Sequence, residues 1–103
     1  MVQFVHPAQE DITLDGILAA LADPLRRRIV KGMLRQEGCM SCTEASPCPA
    51  IAKSTLSNHF RVLREAGLVR TVKRGVENRN TLRHGDVESR FPGLLDKILE
   101  YPD

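Results

Sequence analysis

The sequence predicts a mainly α-helical domain with one small β-hairpin, and three stretches carry that prediction. Residues 53–67, KSTLSNHFRVLREAG, place Leu56, Phe60 and Leu63 on one side of a helical wheel, with Val62 and Ala66 beside them. Residues 11–37 hold two further helical patterns separated by Asp23-Pro24, a favoured cap followed by a residue suited to the first helical position. Residues 68–83, LVRTVKRGVENRNTLR, set β-branched residues on either side of a Lys-Arg-Gly tip. That is the pattern of two strands joined by a tight turn.

Taken in order, residues 1–10 lack periodicity and read as an arm, with Pro7 discouraging an early helix. Residues 11–103 read as a single domain. Asp11 or Thr13 can cap a first helix in which Leu14, Ile17, Leu18 and Leu21 follow the i, i+3, i+4, i+7 spacing. The second helix, about 24–37, turns Leu25, Ile29, Val30, Met33 and Leu34 inward. Arg26, Arg27, Arg28, Lys31 and Arg35 then point largely outward, as a solvated face or toward phosphate. Residues 38–52, GCMSCTEASPCPAIA, contain Gly38, Pro47 and Pro49 and predict a loop with one or two short helical turns. The helix at 53–66 ends at Gly67. In the hairpin, Asn78 and Asn80 predict a short second strand, with the turn near Arg74-Gly75. Asp86 can cap a short turn, and Phe91-Pro92 opens a last helix with Leu94, Leu95, Ile98 and Leu99 on one side.

Composition narrows the function. The 103 residues are 42% hydrophobic, and no apolar run approaches a membrane span. The stretch MVQFVHPAQED lacks the layout of a secretory signal, so a cytoplasmic protein with reduced thiols is expected. Net charge is only +2, but residues 53–84 carry eight Lys/Arg against Glu65 and Glu77, a local +6 that leaves −4 for the rest. A basic segment of this kind suits a polyanion.

The outer face of the 53–66 helix carries Ser54, Ser57, Asn58, Arg61 and Glu65. Short hydrogen-bonding side chains let a helix backbone approach base edges and phosphates, and an Arg can read guanine with two bonds. Helix, helix, broken helix, polar-faced helix, hairpin and helix is the order of a winged helix-turn-helix. The first and last helices carry more aliphatic surface than so small a core needs, which predicts a homodimer joined through them.

The chain also resembles the ArsR/SmtB transcriptional repressors. The resemblance rests on LAALADPLRRRIVKGML (residues 18–34), STLSNHFRVLREAGLV (residues 54–69) and an ungapped hairpin through Leu82, and spans roughly residues 14–100. It implies a homodimer whose 54–66 helix enters the major groove of a double-stranded DNA operator while the hairpin reaches the flanking backbone or minor groove. On that resemblance Ser54, Thr55, Ser57, Asn58 and His59 match the DNA-facing helix, and Lys73, Arg74 and Arg79 match the wing. His59 also lies at the edge of the apolar arc, where a satisfied structural histidine is the other reading. Two departures stand out. Ala52 occupies a position where the family commonly has Ser, leaving Ser54 to cap, and Val76 replaces a frequently basic residue after Gly75.

Cys39, Cys42 and Cys48 form C-x2-C-x5-C just before the DNA-facing helix. The resemblance implies an effector site here, for a metal or arsenic(III), with Cys39 at the family's first cysteine position. Ser41 stands where the family has its second cysteine, and the loop is about two residues longer. Three thiolates suit a soft trigonal ion and do not complete a tetrahedral zinc site. A Cys39–Cys42 disulfide switch and no effector role are the other two readings. His6 and His84 read as isolated surface residues. No phosphate-binding glycine loop, HExxH or hydrolase triad is present, so no enzyme is expected. The expected function is a dimeric, DNA-binding transcriptional repressor released by a thiol-directed effector. The alternatives are a regulator without such an effector or a winged helix retained for protein interaction. A thiol enzyme using Cys39 and Cys42 would need the strand-to-helix setting of a redox CxxC, which this stretch lacks.

Overall fold

Asp23 divides the helical half of the molecule. In the computed structural model, which describes residues 4–35, 40–41 and 52–102, its Oδ1 accepts hydrogen bonds from the backbone N–H groups of Leu25 (2.8 Å) and Arg26 (3.3 Å). Burial opposes ionisation of this carboxyl, but the Arg26 and Leu25 N–H groups and the nearby Arg26 cation outweigh it and hold the pKa below the ordinary carboxylate value. Helix α2 (Pro24–Arg35) begins there, as Asp-Pro predicts. Before it comes α1 (Leu14–Ala20), capped by Thr13, whose Oγ1 accepts from Gly16 N–H at 3.0 Å. A 3-10 turn at Gln9–Asp11 precedes α1, so Thr13 and not Asp11 is its cap.

Helix α3 (Lys53–Ala66) buries Leu56, Phe60 and Leu63 and closes on Gly67 at φ +88°. The closing bond runs from Leu68 N–H to Leu63 O at 3.0 Å. Only glycine fits this corner, because a Cβ on Gly67 would stand 2.5 Å from Ile12 Cγ1. The hairpin of β2 (Val69–Arg74) and β3 (Glu77–Leu82) follows, with Gly75-Val76 as its two-residue loop and Gly75 at φ +61°.

The structure corrects four expectations. The sheet has three strands, since β1 (Met40–Ser41) pairs antiparallel with β3, Met40 opposite Asn80 and Ser41 opposite Arg79. Two residues are too few for an alternating pattern to show in sequence. Strand β3 is as long as β2, because Asn80 is buried and its Oδ1 accepts from Thr71 Oγ1 at 2.7 Å instead of breaking the ladder. Residues His84–Arg90 form a helix, α4, in which Asp86 pairs with Arg83 (2.9 Å) and caps nothing. The last helix, α5 (Leu94–Glu100), is capped at Gly93, two residues later than Phe91-Pro92 suggested.

The core gathers Ile12 and Ile17, Ile29 and Val30, Phe60 and Leu63, Leu68 and Val69, Val87 and Leu95 from every helix and the hairpin. Leu14 and Leu18 stay 43% and 47% exposed on α1. The expected helical turns at 42–51, with Pro49, lie outside the described residues.

Candidate nucleic-acid interface

Burial of the α3 back turns a continuous polar front outward. Ser54, Thr55, Ser57, Asn58 and Arg61 are all exposed, and Lys53 joins them at the N-terminus. The helix cap is Ala52, which has no side-chain acceptor for the first-turn N–H groups. Ser54 lies inside the helix and does not cap it, contrary to expectation, so its hydroxyl belongs to the front. Uncapped first-turn N–H groups are donors suited to an anion. On the same face Arg61 Nη2 donates to Asn58 Oδ1 at 2.6 Å, while Arg61 Nη1 lies 3.8 Å from Glu65 Oε1. Asn58 is therefore oriented with its amide N–H groups left to donate elsewhere.

His59 is half-buried beside this front. Its Nδ1 lies 3.2 Å from Arg26 Nη1. Arg26 was expected to point outward, yet its side chain is only 16% exposed. Its Nε donates to Ala20 O at 2.6 Å, and Arg27 Nη1 donates to Leu21 O at 2.7 Å. The carbonyls at the end of α1 have no partners further along that helix, and the two guanidiniums supply them. Helical periodicity within α2 carries no signal of carbonyls on α1.

The ladder register sorts the wing cations by face. Arg70, Val72 and Arg74 stand opposite Thr81, Arg79 and Glu77, on the side away from the core residues Val69, Thr71 and Asn80. Lys73 pairs with Asn78 on the other side. Arg74 and Lys73 are both exposed at the tip, whereas Arg79 is half-buried and bonds Glu77 Oε2 at 3.2 Å. Val76, between them, is fully exposed.

The N-terminal residues add contacts that sequence reasoning missed. The Arg64 guanidinium lies 4.6 Å from the centre of the Phe4 ring, and Arg83 Nη1 donates to Pro7 O at 2.7 Å. His6, expected to be isolated, accepts from Thr71 N–H through Nε2 at 2.9 Å. Burial first, then the cations of Arg70, Arg83 and Arg64, hold its pKa below the ordinary histidine value.

Cys39, Cys42 and Cys48 lie outside the described residues. Among the described residues, His84, Glu88 and Asp96 each bring one potential ligand atom within 4.8 Å of the others. His84 and Asp96 are paired at 3.0 Å and Glu88 Oε1 accepts from Gly93 N–H at 3.0 Å, while Glu88 Oε2 is buried and has no hydrogen-bond partner among the described residues. His84 too is thus partnered, through a residue that sequence spacing gave no reason to associate with it.

Comparison with known proteins agrees with this geometry. Residues 21–72 match the family model described as a helix-turn-helix domain. The chain is 34% identical over 82 residues to the HTH-type transcriptional regulator YceK of Bacillus subtilis (strain 168), covering 80% of this chain and 82% of that one. The crystal structure of an ArsR family transcriptional regulator superposes with a TM-score of 0.67 at 25% identity, over 86% of this chain and 98% of the other. An ArsR-like transcriptional regulator from Rhodococcus sp. RHA1 shares the fold with a TM-score of 0.59 at 24% identity, over 84% and 86%.

Proposed function

Because the chain belongs to the helix-turn-helix family of transcriptional regulators and is an ArsR-type winged helix-turn-helix, we propose that it is a dimeric, sequence-specific repressor. The observation that carries this reading is the α3 front, where Ser54, Thr55, Ser57 and Asn58 are exposed over a back fixed by Leu56, Phe60 and Leu63. In this reading α3 enters the major groove, and Asn58 and Arg61 with the short hydroxyls select bases. Its uncapped N-terminus and the tip residues Lys73 and Arg74 bind phosphate. Arg79 supports the wing through Glu77 and contributes charge. Phosphate neutralisation supplies most of the affinity, which therefore falls steeply with salt.

A two-fold dimer is supported by the exposed Leu14 and Leu18 on α1 and the half-buried Leu94 and Ile98 on α5. It would present two α3 helices to half-sites about 34–36 Å apart. Among the described residues no helix is long and apolar enough to cross a membrane. The regulator works, in this reading, in the cytoplasm and answers to thiol chemistry at Cys39, Cys42 and Cys48. Three sulfurs with no histidine nearby in the sequence fit a soft metal ion or arsenic(III) and also fit oxidation.

The test is selection of duplexes from a randomised pool, followed by titration of the winner at several salt concentrations. A defined motif with two equivalent halves and a steep salt slope is expected. Uniform recovery of all sequences, or no retention of DNA at low salt, would leave the fold serving protein interaction instead.

A further inference from the structure

A guanidinium carries donors and no acceptor. Where Arg26 Nη1 meets His59 Nδ1 at 3.2 Å, the ring nitrogen therefore offers its lone pair, and the proton of the neutral imidazole sits on Nε2. Arg26 is held to this task from three sides. Its Nε donates to Ala20 O at 2.6 Å, its Nη2 reaches Ala19 O at 3.5 Å, and Asp23 Oδ2 stands 4.0 Å from Nη1. Asp23 is in turn fixed by its cap bonds to α2. Among the described residues, no group accepts from His59 Nε2. A half-buried ring is thus left with one oriented, unused N–H, one helical turn from Thr55 and next to Asn58 on the polar front.

We propose that His59 is a DNA-contacting donor whose Nε2–H bonds an acceptor on the duplex, a purine N7 or a phosphate oxygen, and that Arg26 is the positioning residue that fixes this tautomer. This deepens the operator-binding reading and rests on it. The ring cannot accept at Nε2 while Arg26 occupies Nδ1, so the contact has one polarity. At a base, N7 is an acceptor that every purine presents in the major groove, and the contact disfavours cytosine, whose edge there offers a donor.

Two measurements on the full chain separate the parts of the proposal. Long-range proton–nitrogen NMR of the DNA-free protein at neutral pH, with the His59 signals identified by their loss in His59→Gln, is expected to show the Nε2–H tautomer. An Arg26→Met variant is expected to show a mixture. An Nδ1–H tautomer in the wild type overturns the role given to Arg26. The second measurement uses the duplex that the wild type selects from a randomised pool. His59→Leu is expected to bind it about five- to tenfold more weakly, the worth of about one hydrogen bond. His59→Gln, which places an amide N–H near the position of Nε2, is expected to restore most of that loss.

A scan with 7-deazapurines and methylphosphonates then locates the acceptor as the one substitution that weakens the wild type and leaves His59→Leu unchanged. A scan in which no substitution does so overturns the donor role. So does a selected duplex that His59→Leu binds as tightly as the wild type. Failure of the wild type to select any duplex defeats the DNA-binding reading, and the donor role with it.

Discussion

His6 accepts the backbone N–H of Thr71 through Nε2 at 2.9 Å, tying the N-terminal residues to the strand that leads into the wing. The bond needs an unprotonated Nε2, and burial with Arg70, Arg83 and Arg64 lowers the folded-state pKa below 6.5. As pH falls through about 6.5, the unfolded chain therefore takes up the proton first. The contribution of His6 is complete above that value and declines as pH drops toward the folded-state pKa. Thermal unfolding of wild type and His6→Asn at about pH 7.5 and about pH 5.5 is expected to show a larger acid-induced loss for the wild type. Parallel losses would assign the acid sensitivity to other groups.

Gly67→Ala should destabilise the fold by about 1–3 kcal/mol. The new Cβ would meet Ile12 Cγ1 at 2.5 Å on a backbone at φ +88°. Urea unfolding gives the number. Gly85→Ala, where an added Cβ meets nothing within 4 Å, serves as the control and should be near neutral.

Asn58→Ala should alter base preference, since Arg61 leaves the Asn58 amide N–H groups free to donate. Arg74→Ala should instead weaken every duplex alike and reduce the salt slope by about one. Binding profiles over a randomised library distinguish the two. Unchanged preferences in Asn58→Ala would move base reading away from this helix face.

Leu18→Glu should convert a dimer into a monomer while leaving helix content intact, because Leu18 is 47% exposed within one chain. Sedimentation at micromolar concentration reads the mass, and circular dichroism reads the fold. A monomeric wild type would contradict the dimer.

Thiol chemistry at Cys39, Cys42 and Cys48 should release the operator. A coupling of about 1–3 kcal/mol would weaken binding roughly 5- to 150-fold. Operator affinity of the wild type and of the Cys39→Ser/Cys42→Ser/Cys48→Ser variant is to be compared with and without arsenite, zinc or peroxide. The response is expected from the wild type alone. Equal responses would remove the effector role and leave DNA binding untouched.

The parts of this fold that were legible in the sequence are those with a repeated physical signal. Helix α3 declared its back through Leu56, Phe60 and Leu63 and its end through Gly67, and α2 declared its start through Asp23-Pro24. Contacts made between elements were not legible. Arg26 reads as a solvent-facing arginine until the carbonyl of Ala20 is placed beside it. Asn80 reads as a poor strand residue until Thr71 faces it across the ladder. Helix α4 buries only Val87, so its seven residues show no apolar stripe. At the interface, the identity of the exposed side chains followed from the wheel. The division of Lys73 from Arg74 follows from strand alternation, whereas the residues that face them, Asn78 and Glu77, follow from the pairing register.

The short strand β1 has a mechanical meaning. Met40 and Ser41 are covalently bracketed by Cys39 and Cys42, and they are laddered to Asn80 and Arg79 of β3. Tension between the two sulfurs would therefore load both ends of a strand whose partner is the return limb of the wing. Asn80 passes that load through Thr71 into β2, where His6 and the approach to Arg74 begin. If the proposed thiol chemistry acts at these cysteines, the ladder of β1 with β3 would give it a hydrogen-bonded route to the hairpin that does not pass through α3, so that the wing could shift while α3 keeps its shape.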